Sequence, residues 1–207
     1  MLKLFYAPGT CALASHIALE EAGADYELAR LDFRDAEQRK PEYLRLNPKG
    51  RVPALVTDRG VLTENPVILG YIAQTFPDAK LAPNDDSFAF GDMQAFNMFL
   101  AATVHPAFAH SFRPERYVDG EDCRKAVQAK VPEALGQHFA LIEEKLADGR
   151  TWVHGEAFTV SDGYLIVFTR WLERGFQRVA AGFPRTLEHR RRTEDRPAVQ
   201  RALAQES

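Results

Sequence analysis

What this chain has little of narrows its chemistry before any motif is considered. Only two cysteines, Cys11 and Cys123, occur in 207 residues. They lie far apart, so they form neither a disulfide framework nor a paired zinc-ligand motif, and a reducing compartment suits them. No stretch approaches the roughly 18 uninterrupted apolar residues of a membrane span. The opening apolar run, Met1 to Tyr6, is broken too soon by Pro8-Gly9 to be a secretory leader. Nor does one charge dominate. Twenty-six basic residues face 29 acidic ones, for a net charge of -3, which argues against a nucleic-acid binder that works by neutralising phosphates. The one basic cluster, His189-Arg190-Arg191-Arg192, is followed by Glu194 and Asp195 and reads as a solvated helix face. Repeats and low-complexity tracts are absent. These absences predict a soluble cytoplasmic protein with no resident metal and neither a membrane nor a nucleic-acid partner.

What is present points to two folded units. The 45% apolar and 11% aromatic content suffices for a real core, and the length suits two small domains better than one large one. Residues 2 to 6 read as a strand stopped by Pro8-Gly9, and residues 12 to 22 carry Leu13, Ile17 and Ala18 at near-helical spacing. A strand over 26 to 31 follows, then a polar stretch, 35 to 46, with room for a short or irregular helix. Ala54 to Thr57 and Val61 to Thr63 flank Asp58-Arg59-Gly60 as a hairpin, and a helix from Pro66 to about Phe76 closes the unit, proline suiting a first helical turn. The result is βαβ followed by ββα. Residues 78 to 86, rich in proline and aspartate, read as a linker. Beyond them, over 87 to 207, only helical periodicity appears: 87 to 115, 121 to 147, 159 to 175, 183 to 191 and 195 to 205. Thr159-Val160-Ser161-Asp162 is an N-terminal capping signature.

Four blocks are more specific. Phe5-Tyr6-Ala7-Pro8-Gly9-Thr10-Cys11-Ala12-Leu13-Ala14-Ser15-His16-Ile17 opens the chain; Asn47-Pro48-Lys49-Gly50-Arg51-Val52-Pro53-Ala54-Leu55 precedes the hairpin; Thr63-Glu64-Asn65-Pro66 precedes the third helix; Phe158-Thr159-Val160-Ser161-Asp162 lies in the helical half. In this order and at these separations they resemble bacterial glutathione transferases, particularly the beta class with its cysteine after the first strand. The resemblance implies a thioredoxin-like domain over 1–77, with a mixed sheet, that holds glutathione as cosubstrate. An all-helical domain over 87–207 would shape the site for an electrophilic or disulfide substrate. It also implies a homodimer and a role in detoxification. Within the same scaffold it leaves open a glutathione-dependent disulfide reductase or peroxidase, and a noncatalytic carrier of glutathione or apolar ligands.

The resemblance assigns roles residue by residue. The Val52-Pro53 bond would be cis, exposing the backbone of Val52 to pair with the cysteinyl unit of glutathione; sequence physics alone favours an ordinary trans bond at the start of an edge strand. Asn65, read as the N-cap of the third helix, would hold the γ-glutamyl carboxylate through its backbone N–H and side chain, and Glu64 the ammonium group. The family more often has serine at position 65. The glycyl carboxylate needs a cation, for which Arg34, Arg39, Lys40, Lys49 and Arg51 are available.

Cys11 sits where the amino end of the first helix favours a thiolate. A fall in thiol pKa from about 8.5 to about 6.5 there would need about 2.7 kcal/mol of preferential stabilisation. Two chemistries stay open: Cys11 and Thr10 donate hydrogen bonds to the glutathione sulfur, or Cys11 forms a mixed disulfide with it. Tyr6 is either a third donor or a packed core tyrosine. His105, in Val104-His105-Pro106, resembles the beta-class histidine that faces the sulfur from the second domain, where a neutral imidazole could accept a proton. Phe96, Phe99, Phe108 and Phe112 recur at three- or four-residue spacing; such stripes are usually core, with Phe108 and Phe112 the candidates to line an electrophile site.

Overall fold

The computed structural model describes residues 1–206. Its first half is a four-stranded mixed sheet flanked by helices: β1 (Leu2–Tyr6), α1 (Ala12–Glu21), β2 (Tyr26–Arg30), a 3-10 turn (Glu37–Arg39), α2 (Pro41–Leu44), β3 (Ala54–Thr57), β4 (Gly60–Thr63) and α3 (Asn65–Thr75). Strand order is β2-β1-β3-β4. β1 runs parallel to β2 and antiparallel to β3, so Leu4 stands beside Leu28 on one side and Leu55 on the other. Leu4 and Leu55 are fully buried because α1 and α3 cover one face of the sheet. Tyr6, Tyr43 and Ala54 form a second, smaller cluster. The βαβ-ββα order read from the sequence is the order observed.

The helical half comprises α4 (Ser87–Phe99), a π-helical segment (Leu100–Val104), α5 (His105–Phe112), α6 (Glu121–Lys145), α7 (Val160–Gly175), α8 (Gln177–Ala180), α9 (Pro184–Glu194) and α10 (Pro197–Gln205). Its centre is α7, buried along most of its length and packed against α1. Gly163 permits that approach: a Cβ there would lie 2.9 Å from Ile17 Cγ2. The cap of α7 is the one its sequence predicts, and it holds more than a cap. The fully buried Asp162 carboxylate accepts from the backbone N–H of Thr159 and of Val153, 2.8 Å each, and meets His189 Nε2 at 2.8 Å.

That last contact corrects the reading of His189-Arg190-Arg191-Arg192 as a solvated face. His189 is buried against Asp162 and Trp152, Arg190 pairs with Glu173 and Glu194, and Arg192 donates to Thr151 O at 2.7 Å. A basic run on one helix looks solvent-bound only until other helices bring acids to it. The carboxyl-terminal helix α10 also folds back onto α1, where Arg196 binds Glu21 bidentately at 2.6 and 2.7 Å and Gln205 meets His16 Nε2 at 3.0 Å.

Candidate active site

Two adjoining cavities, of about 440 and 160 Å³, lie between the sheet-bearing half and the helical half and share Cys11, Arg51, Val52, His105, Ala109 and Arg116. The smaller is lined by the Val52-Pro53 edge, Glu64, Asn65 and Tyr164. The wall it rests on is built by local geometry. Buried Asn47 donates to Arg51 O at 2.7 Å and Tyr43 Oη donates to the same oxygen at 2.5 Å, which fixes the loop just before the edge. Gly50 adopts φ 58°, and a Cβ there would fall 2.9 Å from Gln38 O, so glycine is required twice over. The Val52-Pro53 bond is cis, as the resemblance implies. Among the described residues nothing accepts from the backbone N–H of Val52 or of Asn65. Buried backbone donors are rarely left so.

Asn65 is not the cap it was expected to be. It is the first residue of α3, and Glu64 takes the cap position at φ 69°, a conformation that costs a non-glycine residue of order 1–3 kcal/mol and concentrates at functional sites. The Asn65 amide turns instead into the protein: Nδ2 donates to Cys11 O at 2.8 Å and Oδ1 accepts from Ser15 Oγ at 2.7 Å. Those partners on α1 are buried and need satisfying, so only the backbone N–H of Asn65 stays free to meet a carboxylate. Glu64 is exposed and ion-paired with Lys49 Nζ at 2.5 Å. That pair is weak in solvent, so a ligand ammonium can compete for it. Lys49, bound to Glu64 and Thr63, lines neither cavity.

Cys11 departs furthest from expectation. It occupies the residue before α1, as predicted, yet its thiol is buried and points at Val52 O, 3.6 Å away. Burial pushes the thiol up to about 12, more than hydrogen bonding from its own backbone N–H and from Asn65 pulls it down. Desolvation penalises the charged form more than one helix end rewards it. Cys11 is therefore a neutral thiol at physiological pH. Thr10 lines the larger cavity and completes the α1 amino end, its Oγ1 accepting from Ala12 N–H at 3.3 Å and donating to Ala7 O at 2.7 Å.

Across the cleft, His105 is delivered by a local irregularity with a cause. Pro106 has no N–H and its ring clashes with the carbonyl four residues back. The turn before it widens into the π-helical segment, with the His105 N–H bonded five residues back, to Leu100 O. The imidazole packs on Phe168 and Trp171, centroids 5.6 and 5.2 Å away. Burial, seconded by the charge of Arg51, lowers it to about 4. His105 is neutral, as foreseen, but a base this weak takes little share in deprotonating a thiol.

Several expectations are corrected by placement. Tyr6 is the one proposed sulfur donor kept away from the cleft: it is buried against His16 and donates to Gln205 O at 3.2 Å. Phe108 is wholly buried, stacked on Phe168 and Phe112, whereas Phe112 is half exposed and lines the larger cavity. Of the cations considered, Arg39 and Arg51 line that cavity while Arg34 and Lys40 do not. Sequence reasoning missed Phe33, Trp171 and the arginines of the far wall, Arg113, Arg116 and Arg174. The Phe-Arg-Pro step at 112–114 was a signal for the first of these arginines; Trp171 and Arg174 carried none. Among the described residues no cluster of three or more His, Cys, Asp or Glu could hold a metal ion.

Comparison with known proteins fits this geometry. Residues 1–74 match the family model for the glutathione S-transferase N-terminal domain and residues 95–197 that for the C-terminal domain. The chain is 35% identical over 214 aligned residues to glutathione S-transferase GstA of Escherichia coli O157:H7, covering 99% of this chain and 98% of that one. A Sulfitobacter glutathione transferase homolog with bound glutathione superposes with a TM-score of 0.91 at 36% identity, covering 99% of this chain and 98% of that one. The beta-class glutathione S-transferase of Sphingomonas chungbukensis superposes at 0.85 with 36% identity and the same coverage. This chain belongs to the glutathione S-transferase family.

Proposed function

We propose that the protein is a glutathione transferase that joins the sulfur of glutathione to an electrophile in the larger cavity. The observation that carries this reading is the pair of unpartnered backbone donors, Val52 N–H and Asn65 N–H, flanking Cys11 on one wall of a cleft. A peptide-like ligand bonds such an edge as an added strand, and the amino end of α3 receives a carboxylate. Glu64 takes the ammonium group in exchange with Lys49. Arg39 and Arg51, which line the larger cavity, are the cations this reading gives to the glycyl carboxylate.

In this reading Cys11 acts as a protonated donor and not as a redox nucleophile. When the ligand's cysteinyl N–H occupies Val52 O, the Cys11 S–H is released to donate to the glutathione sulfur, while Thr10, whose hydroxyl and N–H both donate to Ala7 O, holds the turn before α1. The S–H donation stabilises the thiolate without a second thiolate beside it. Residues 1–77 hold glutathione, 78–86 connect, and 87–207 shape the electrophile site. The functional unit is a cytoplasmic homodimer acting in detoxification. Three observations support this: two free cysteines; no helix among the described residues long and apolar enough to cross a membrane; and exposed Val67, Phe88 and Met98 on α3 and α4, which a second copy would cover.

Conjugation of 1-chloro-2,4-dinitrobenzene and reduction of a glutathione mixed disulfide, measured for wild type and Cys11→Ala, test the reading. The expected result is conjugation retained within about tenfold in the variant, matching the loss of one weak thiol hydrogen bond worth about 1 kcal/mol. Abolished disulfide reduction with trapped mixed disulfide in wild type would make Cys11 a nucleophile. Tight glutathione binding without turnover in either assay would make the protein a carrier. Sedimentation of the same preparation as a monomer would remove the dimer.

A further inference from the structure

The larger cavity has a charge balance that glutathione alone does not explain. Its lining includes Arg39 and Arg51 from the sheet-bearing half and Arg113, Arg116 and Arg174 from the helical half, and it contains no aspartate or glutamate. This is a local excess in a chain whose net charge is -3. Among the described residues none of the five makes an ion pair or a side-chain hydrogen bond, whereas Arg170, Arg190 and Arg196 elsewhere in the helical half each hold a carboxylate. The guanidinium groups feel one another: Arg116 is shifted down from its ordinary range by burial first and then by Arg113 and Arg51. Exposed guanidinium groups of one sign at the mouth of a cleft cost little while water solvates them, and they raise the local concentration of anions there.

Glutathione brings two carboxylates. One is taken at the amino end of α3 and the other at Arg39 and Arg51, which leaves Arg113, Arg116 and Arg174 without a counter-charge. The same cavity is lined by Phe33, Phe112 and Trp171, a surface for a flat apolar body. Resting on the transferase reading above, we propose that the second substrate is an anionic electrophile. Its planar apolar body lies against Phe112 and Trp171, and its carboxylate is gripped by Arg113, Arg116 and Arg174. Arginine suits this task because its planar fork pairs with carboxylates bidentately. In the reaction the glutathione thiolate attacks the electrophilic ring carbon. The C–S bond forms, the leaving group departs as halide with the bonding pair, and the thiol proton passes to solvent.

The test compares 4-chloro-3-nitrobenzoate with its neutral methyl ester, each kcat/KM divided by the uncatalysed rate constant with glutathione to remove the ester's greater intrinsic reactivity. Wild type is expected to prefer the carboxylate by at least about tenfold. Arg113→Gln/Arg116→Gln is expected to erase that preference, mainly through the carboxylate's KM, and Arg116→Lys to restore part of it. Added salt should raise KM for the carboxylate more than for the ester. Because Arg116 also borders the smaller cavity, the denaturant unfolding midpoint of each variant reports correct folding. Equal normalised rates in wild type, or equal losses on both substrates in the double variant, overturn the proposal. If neither compound is turned over, conjugation of 1-chloro-2,4-dinitrobenzene decides the transferase reading separately. The anion site is then judged by calorimetry, titrating unreactive 3-nitrobenzoate with and without S-methylglutathione: binding weakened tenfold in the double variant upholds it, and no binding to wild type overturns it.

Discussion

The two walls of the cleft solve recognition in opposite ways. On the sheet side the side chains are spent on the protein itself: Asn65 ties α3 to α1, Tyr43 and Asn47 hold Arg51 O, and Cys11 donates to Val52 O. What the centre of that wall offers is backbone, the N–H groups of Val52 and Asn65, with the Glu64, Arg39 and Arg51 side chains at its margins. On the helical side the backbone is consumed by helical hydrogen bonding and the side chains are free, with Phe112, Arg113, Arg116 and Arg174 exposed. A wall of backbone recognises what every ligand of one peptide class shares. A wall of loose side chains discriminates among partners and is changed easily by mutation, because exposed substitutions usually move stability by less than about 0.5 kcal/mol.

The sharpest way to break this contrast is through the thiols. If the sheet wall keeps Cys11 buried and protonated, iodoacetamide at pH 7.5 should modify exposed Cys123 about a hundredfold faster or more; peptide mass spectrometry gives the ratio. Comparable rates would mean that Cys11 is an open thiolate. Next in size is Asn65→Ala. It strands Ser15 Oγ in the core and leaves Cys11 O with only the Ala14 N–H as a donor, and a buried group left unpaired costs about 1–3 kcal/mol. We therefore expect about 2 kcal/mol of lost stability in denaturant unfolding, together with weaker glutathione binding as the α3 amino end loosens. Arg116→Gln, on the other wall, should leave the midpoint nearly unchanged. Equal losses at the two positions would erase the distinction between framework and free side chains.

The smallest effect is a pH dependence. Burial holds the His105 imidazole near 4, below the roughly 6.5 of an unfolded chain. Between those values the unfolded state binds the extra proton, so this residue's share of stability is present above about pH 6.5 and is lost as pH falls toward 4. His105→Asn should flatten the decline in stability across that window, read from unfolding midpoints at pH 7, 6, 5 and 4. An unchanged slope would place His105 in water and not against Phe168 and Trp171.

The legibility of the site follows the same division. Backbone recognition requires special local geometry, and such geometry leaves contiguous motifs: Thr63 to Pro66 reads as a helix start from its residues, whereas Asn47 to Pro53 reads as a binding edge only through its resemblance to the family. The reading failed where a side chain had two possible destinations. Asn65 satisfies a local cap pattern but meets a stronger demand from buried groups on α1. Cys11 sits at a helix end that favours charge, inside packing that penalises it more. Tyr6 and Phe108 have the spacing of site residues and the burial of core residues, and spacing does not distinguish the two.

From the sequence alone came the βαβ-ββα order, the helical second half and the capped α7, because each rests on dihedral preferences, hydrogen-bond needs and periodicities that act within a few residues; the sheet wall was legible only through the family resemblance, since local physics by itself favours a trans Val52-Pro53 bond. Tertiary structure decided the protonation of Cys11, the pairing of His189 with Asp162 and the arginine-lined far wall. Those depend on which distant groups share a low-dielectric space. Electrostatics and desolvation act through space, and the chain order of Arg39, Arg51, Arg113, Arg116 and Arg174 contains no record of their meeting in one cleft.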